Sequence, residues 1–357
     1  MKRILYIIGI LVLALTLAAC QEKEPEKTVE ETGCEIAVIA EGSGEADISV
    51  TEATWKSVKA FADEHELAAG KYEPEEASEE AYLKSIQQAV DDGAGFIVLP
   101  GRSFETTAYK AQTSYADTDF LLIDGVPHDA ENNYATGANT VSVVFAEEEA
   151  GYLAGYAAVK DGYTKLGFVG GKEIPAIKRF GYGFVQGAAS AAEETGAKVE
   201  LAYKYAGTFE ESDEVKELAA GLYKDGTEVI FACGGLIGNS VVKAAEEAGG
   251  KVIGADVDQS GLSDTVITSA EKGIDAAVTT VLKSYVNETF VGGTAFNYAA
   301  KNDGVMLETA NSGFKAFDEK EYKKVFDKLK AGKIELKKDT GASSVSELAG
   351  ELVTIKE

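Results

Sequence analysis

The chain has 357 residues, 45% of them hydrophobic and 26% charged, a globular composition that excludes a disordered or collagen-like polymer. At roughly 100–200 residues per domain it holds about two domains. With 34 Lys and Arg against 60 Asp and Glu, a net charge of −26, it would be repelled by phosphate backbones and anionic lipid, so no nucleic-acid partner is expected. Only Arg3, Arg102 and Arg179 carry a guanidinium, which leaves few bidentate phosphate clamps.

Residues 1–19 read as a signal peptide: Lys2 and Arg3, then an apolar run from Ile4 to Ala19. A membrane-spanning helix is the competing reading, but the run is short against the roughly 20 residues a span needs. Leu17-Ala18-Ala19-Cys20 matches the bacterial lipobox, in which Cys20 is lipidated and becomes the mature N-terminus. Residues 20–33 add a polar, charged tether containing Pro25. The expectation is a body lipid-anchored to the cell membrane on its extracytoplasmic face, where ATP-dependent and nicotinamide chemistry are out of place. Cys34 and Cys233 lie in apolar strand-like segments and read as buried thiols.

From Glu35 onward, short apolar runs alternate with amphipathic stretches. In chain order the runs are Ile36–Ala40, Phe96–Leu99, Phe120–Ile123, Val141–Phe145, Leu166–Val169, Val199–Ala202, Val229–Cys233 and Val252–Ala255. They are continuous rather than alternating, as strands covered on both faces should be. Tyr82, Ile86, Ala89 and Val90 share one helical face between them, as do Val215, Leu218 and Leu222. The pattern predicts an α/β fold with parallel, doubly wound sheets.

An internal repeat sharpens this. Asp92-Gly93-Ala94-Gly95-Phe96-Ile97-Val98-Leu99-Pro100-Gly101 aligns without gaps on Asp225-Gly226-Thr227-Glu228-Val229-Ile230-Phe231-Ala232-Cys233-Gly234. In each copy an amphipathic helix stops at Asp-Gly, a buried strand follows, and a glycine closes it. The next strand of each half ends in an acid, Asp124 and Asp256. Ligands of open parallel sheets bind beyond the carboxyl ends of the strands. Two such lobes would set Asp124 and Asp256 on opposite walls of one cleft; taken singly, each acid could equally be a helix cap.

Catalytic signatures are absent: no GxxxxGK[ST] phosphate loop, no GxSxG elbow, no zinc-spaced ligand set, and two histidines, His65 and His128. Gly42-Ser43-Gly44 lacks the third glycine of a dinucleotide turn. Gly181 and Gly183 fall within an amphipathic helix, where close packing explains them. The acidic clusters Glu75–Glu80, Glu147–Glu149 and Glu210–Glu214 read as solvated helix starts that complement the helix dipole. No enzyme, metal or cofactor is expected.

Gly170-Gly171-Lys172-Glu173-Ile174-Pro175, then Lys178-Arg179-Phe180 and Gly183-Phe184, resemble the signature of the basic membrane protein (BMP) family. These are PnrA-like substrate-binding lipoproteins of ABC transporters, purine nucleoside receptors among them. Ile123-Asp124-Gly125, Glu147-Glu148-Glu149-Ala150, Gly207-Thr208-Phe209, Gly234-Gly235 and Asp256-Val257-Asp258-Gln259 with Lys272 extend the match. The resemblance implies a two-lobed type I periplasmic-binding fold with three crossovers, closing on a nucleoside. It assigns Phe209 to stacking on the base and Asp124, Asp256 and Lys272 to the ribose, with Gly234 at a strand tip. Ribose hydroxyls donate well to carboxylates, and a buried lysine offsets the repulsion of paired acids. The first lobe departs from the family: Glu41 stands where an Asp is usual, and Ala46-Asp47-Ile48-Ser49-Val50-Thr51 replaces Asp-Asp-Lys-Ser-Phe-Asn. Val50 thus stands for the first stacking Phe and Thr51 for the base-reading Asn. Trp55 has core spacing with Val58 and Ala62.

The resulting expectation is the monomeric receptor of an ABC importer, delivering a nucleoside-like small molecule to a permease and its ATPase. The same fold with another sugar-like or signalling ligand, and an exported nucleoside hydrolase, are the alternatives. Crossovers are expected near Phe145–Ala146, Thr268–Ser269 and Val291. Lobe 1 would then hold 35–145 plus 269–290, and lobe 2 would hold 146–268 plus 291–357.

Overall fold

A computed structural model describes residues 33–41 and 48–357. The signal peptide, Cys20, the tether up to residue 32, Gly42-Ser43-Gly44 and Asp47 lie outside the described residues. Within them the chain alternates strand and helix. The first half runs β1 (Ile36–Ile39), α1 (Ile48–His65), β2 (Ala69–Tyr72), α2 (Glu79–Asp91), β3 (Phe96–Pro100), α3 (Glu105–Ser114), β4 (Asp119–Ile123) and β5 (Thr140–Phe145). It continues through α4 (Glu147–Lys160), β6 (Lys165–Gly170), α5 (Pro175–Thr195), β7 (Val199–Tyr205), α6 (Asp213–Lys224), β8 (Val229–Cys233), α7 (Ile237–Ala248) and β9 (Lys251–Asp256). The last elements are β10 (Val266–Lys272), α8 (Ile274–Val286), β11 (Thr294–Tyr298), β12 (Val305–Leu307), α9 (Glu319–Lys330) and β13 (Val353–Lys356).

All eight apolar runs form strands, and they build two sheets, ordered β11-β5-β4-β3-β1-β2 and β12-β10-β9-β8-β6-β7-β13. Every neighbouring pair is parallel except β10 with β12. Continuous apolar strands need cover on both faces, and the alternation of side chains shows how it is supplied. In the first sheet Ala37, Ile39, Ile97, Leu99, Phe120 and Leu122 pack with α2 and α3, while Ile36, Val38, Phe96, Val98 and Leu121 share a cluster with α1 and α8. In the second, Val169, Ile230 and Val252 face α6 and α7, and Phe168, Phe231 and Ile253 face α4 and α5.

The helix stops are those the repeat predicts. Asp92 caps the end of α2 with Gly93 at φ 103°, and Asp225 caps the end of α6 with Gly226 at φ 96°. A backbone in that region favours a residue without a Cβ. α4 and α5 approach through glycines on both helices: a Cβ on Gly155 would collide with the Phe184 carbonyl, and one on Gly183 with that of Glu148.

Two passages between the sheets differ from expectation. The chain leaves the first sheet after Phe145. It returns only after Lys272, because β10 hydrogen-bonds to β9 through Ser269↔Gly254 and Glu271↔Asp256. Thr268–Ser269 therefore falls inside a strand whose polar half hid it from a hydropathy reading. The third passage follows Tyr298 rather than Val291, since β11 pairs with β5. Residues 269–272 thus belong to the second sheet and 294–298 to the first. Glu147 and Glu148 were expected to be solvated and are instead 0% and 2% exposed.

Gly155→Val should lower the unfolding free energy by about 1–3 kcal/mol or more, because the added methyl groups force α4 and α5 apart. Urea denaturation followed by circular dichroism measures it; an unchanged midpoint would show that the helices can separate at no cost.

Candidate functional site

The strand tips of both sheets meet one cleft cavity of about 250 Å³, just under the roughly 300–1,000 Å³ usual for small-molecule pockets. Its lining includes Glu41, Gly101, Arg102, Ser103 and Asp124 from the first sheet's side. Gly234, Gly235, Asp256, Lys272, Phe209, Phe180 and Ile174 come from the second.

The two acids are placed by the same local device. Asp124 directly follows β4 with φ 62°, and Asp256 ends β9 with φ 70°. Both occupy the left-handed region, which Asp tolerates better than most residues. The glycines one strand earlier in each half, Gly101 and Gly234, take φ 122° and 130°. The sequence repeat is therefore also a repeat of backbone conformation at the tips.

Lys272, the last residue of β10, joins the halves. Its ammonium lies 2.8 Å from Asp124 Oδ2, 2.9 Å from Asp256 Oδ1 and 3.7 Å from Glu147 Oε1. It also sits 5.6 Å from the Phe180 ring centre and 5.8 Å from that of Phe145. Burial alone would favour the neutral amine, but Asp124, Asp256 and Glu147 outweigh it and hold the Lys272 pKa well above its ordinary value. Burial pushes the Glu147 carboxyl up, against the pull of Lys272 and Arg179. Arg179 Nε donates to Glu147 Oε2 at 2.6 Å, and its Nη1 faces Asp339 at 3.6 Å.

Phe209 rests on a platform of glycines. A Cβ on Gly171 would strike its ring, and one on Gly234 would come within 3.2 Å. Leu236 N–H donates to the Phe209 carbonyl at 2.7 Å, and the Lys172 ammonium lies 5.3 Å from the ring centre. The ring is half-buried and packs at the cavity wall. Glu41 accepts a hydrogen bond from the Ser103 hydroxyl.

Of the sequence-derived site residues, Glu41, Asp124, Phe209, Gly234, Asp256 and Lys272 come together on this cavity. Val50 and Thr51 do not line it. They lie in the first turn of α1 and are buried, continuing the inward stripe of Thr54, Val58 and Phe61. Trp55 packs against the core, as its spacing predicted. Cys34 and Cys233 are buried thiols. Sequence reasoning missed Arg102 and Ser103, although Gly101, paired with Gly234 by the repeat, pointed at them. It also missed Glu147 as the partner of Lys272. Among the described residues no cluster of His, Cys, Asp or Glu is arranged to hold a metal ion, and no helix is long and apolar enough to cross a membrane.

Two α/β sheets whose strand tips share a polar, aromatic-walled cavity define a solute-binding protein. Residues 34–340 match the family model described as ABC transporter substrate-binding protein PnrA-like, and the chain belongs to that family. It is 28% identical over 337 residues to the ABC transporter nucleoside-binding protein BmpA of Lactococcus lactis subsp. cremoris (strain MG1363), covering 87% of this chain and 92% of that one. Basic membrane protein A of Borreliella afzelii is 30% identical over 289 residues, covering 79% and 85%. An ABC transporter solute-binding protein from Aeropyrum pernix K1 shares the fold at TM-score 0.65 and 22% identity, covering 88% and 90%.

Beside Lys272 on β10, Glu271 has its pKa raised from 4.5 to about 7 by burial and by the nearby Glu308 and Asp258 carboxylates. A carboxyl that binds its proton more tightly when folded contributes stability that is complete below about 4.5 and lost as pH rises through about 7. Glu271→Gln should therefore raise Tm at pH 8 relative to the parent, with the gap closing toward pH 4.5. Calorimetric melts across that range test this; a gap independent of pH would refute it.

Proposed function

We propose that this protein is the lipid-anchored, extracytoplasmic receptor of an ABC importer and takes a nucleoside into the cleft. The observation that carries the reading is the convergence of Asp124, Asp256 and Lys272 with Phe209 on one cavity. Asp124 and Asp256 present carboxylate acceptors suited to vicinal hydroxyls, and Lys272 keeps both acids in place once water is excluded. Phe209 offers a flat face for a base, an interaction worth roughly 1–3 kcal/mol. The Lactococcus relative's description as nucleoside-binding supports the same ligand class. The lipobox at Cys20 supports the anchor.

Binding rather than turnover fits the chemistry. Both aspartates are tied to Lys272, and no histidine is among the described residues lining the cavity. Hinge motion of the two lobes about the passages between the sheets would enclose the solute for a permease partner.

A thermal-shift panel of guanosine, inosine, adenosine and cytidine tests the ligand class. At 100 times its dissociation constant a ligand adds about 2.7 kcal/mol of stability. An unmoved Tm with all four would defeat the nucleoside reading. Phe209→Ala should weaken nucleoside binding about tenfold, measured by titration calorimetry. Release of free base during incubation would turn the reading toward a hydrolase.

A further inference from the structure

We propose that Arg102 makes the cleft selective for nucleosides with a 6-oxopurine base, guanosine and inosine, over adenosine. This rests on the nucleoside reading above. It follows from counting hydrogen-bond donors around the cavity. Among the lining residues described, the acceptors are the carboxylates of Glu41, Asp124 and Asp256. The charged donors are Lys272 and Arg102. Lys272 faces three carboxylates with its three N–H bonds. Ser103 donates its hydroxyl proton to Glu41. The remaining lining side chains are aliphatic, phenylalanine or glycine. A ligand carbonyl therefore meets a charged side-chain donor at Arg102.

Arg102 is held for this task. It follows Gly101 at the tip of β3, and its Nη2 lies 3.4 Å from Glu105 Oε2. Glu105 is buried and fixed in turn, accepting from Val126 N–H at 3.0 Å and lying 3.6 Å from His128 Nε2. That contact engages one edge of a guanidinium that carries five N–H donors. A guanidinium fork matches the paired O6 and N7 acceptors of guanine and hypoxanthine, whereas adenine offers a donor at N6 beside N7 and is matched by an amide. No Asn or Gln is among the described lining residues. Glu41, beside Ser103, complements the same bases, since its carboxylate accepts from a ring N–H or exocyclic amine.

The test is titration calorimetry of the full-length protein with guanosine, inosine and adenosine, repeated on Arg102→Gln and Arg102→Lys. The expected result is at least about tenfold tighter binding of guanosine and inosine than of adenosine. Arg102→Gln should collapse that ratio, and Arg102→Lys, which keeps the charge but not the fork, should fall between. Equal or tighter adenosine binding by the native protein overturns the proposal alone, as does a uniform loss for all three ligands in both variants. Failure of every nucleoside to bind overturns this proposal together with the receptor reading beneath it.

Discussion

A single buried ammonium holds the centre of this molecule. Lys272 ends a strand of the second sheet and binds Asp124 of the first, Asp256 of its own and Glu147 at the first passage between them. Three carboxylates packed this closely would repel one another in a low-dielectric interior without a cation. Removing one partner of such a buried set typically costs about 3–5 kcal/mol, because it leaves uncompensated charge. The same cluster that lets the two halves approach also presents acceptors to the cavity.

The triplet Glu147-Glu148-Glu149 spreads this bond into a frame. Glu147 faces Lys272 at the second passage, and Glu149 accepts from Ala300 N–H at 2.6 Å beside the third. Ala146 N–H donates to the Tyr298 carbonyl at 2.8 Å. Glu148 pairs with Lys338 at 2.9 Å and Arg179 faces Asp339, which ties residues 338–339 to the same point. All three strands that feed the passages are thus anchored to the first turn of α4. The glycine contacts between α4 and α5 seat that helix firmly against the second sheet.

Much of the architecture was legible in order. The eight apolar runs, the Asp-Gly helix stops and the offset repeat each correspond to a local physical signal: burial on both faces, a left-handed cap, a duplicated strand tip. β2 (Ala-Gly-Lys-Tyr), β10 and β11 (Thr-Ala-Phe-Asn-Tyr) were not seen, nor were the short β12 and β13, because β2 and β11 hold no Val, Ile or Leu and the second half of β10 is polar. Val50 and Thr51 illustrate the reverse error. Their resemblance to a family motif suggested a cleft position, while their helical spacing with Thr54 and Val58 placed them inward.

The sequence by itself determined eight of the thirteen described strands, the helix stops and the pair of acids at matching tips, since each follows from neighbours a few residues apart. Only the tertiary structure decided that Lys272 meets Asp124 across 148 positions of chain, that Glu147 is buried rather than solvated, and that Arg102 faces the cavity. Charge pairing of this kind depends on which strand tips are brought face to face. Hydropathy does not encode it, because a buried ion cluster and an exposed one are written with the same residues.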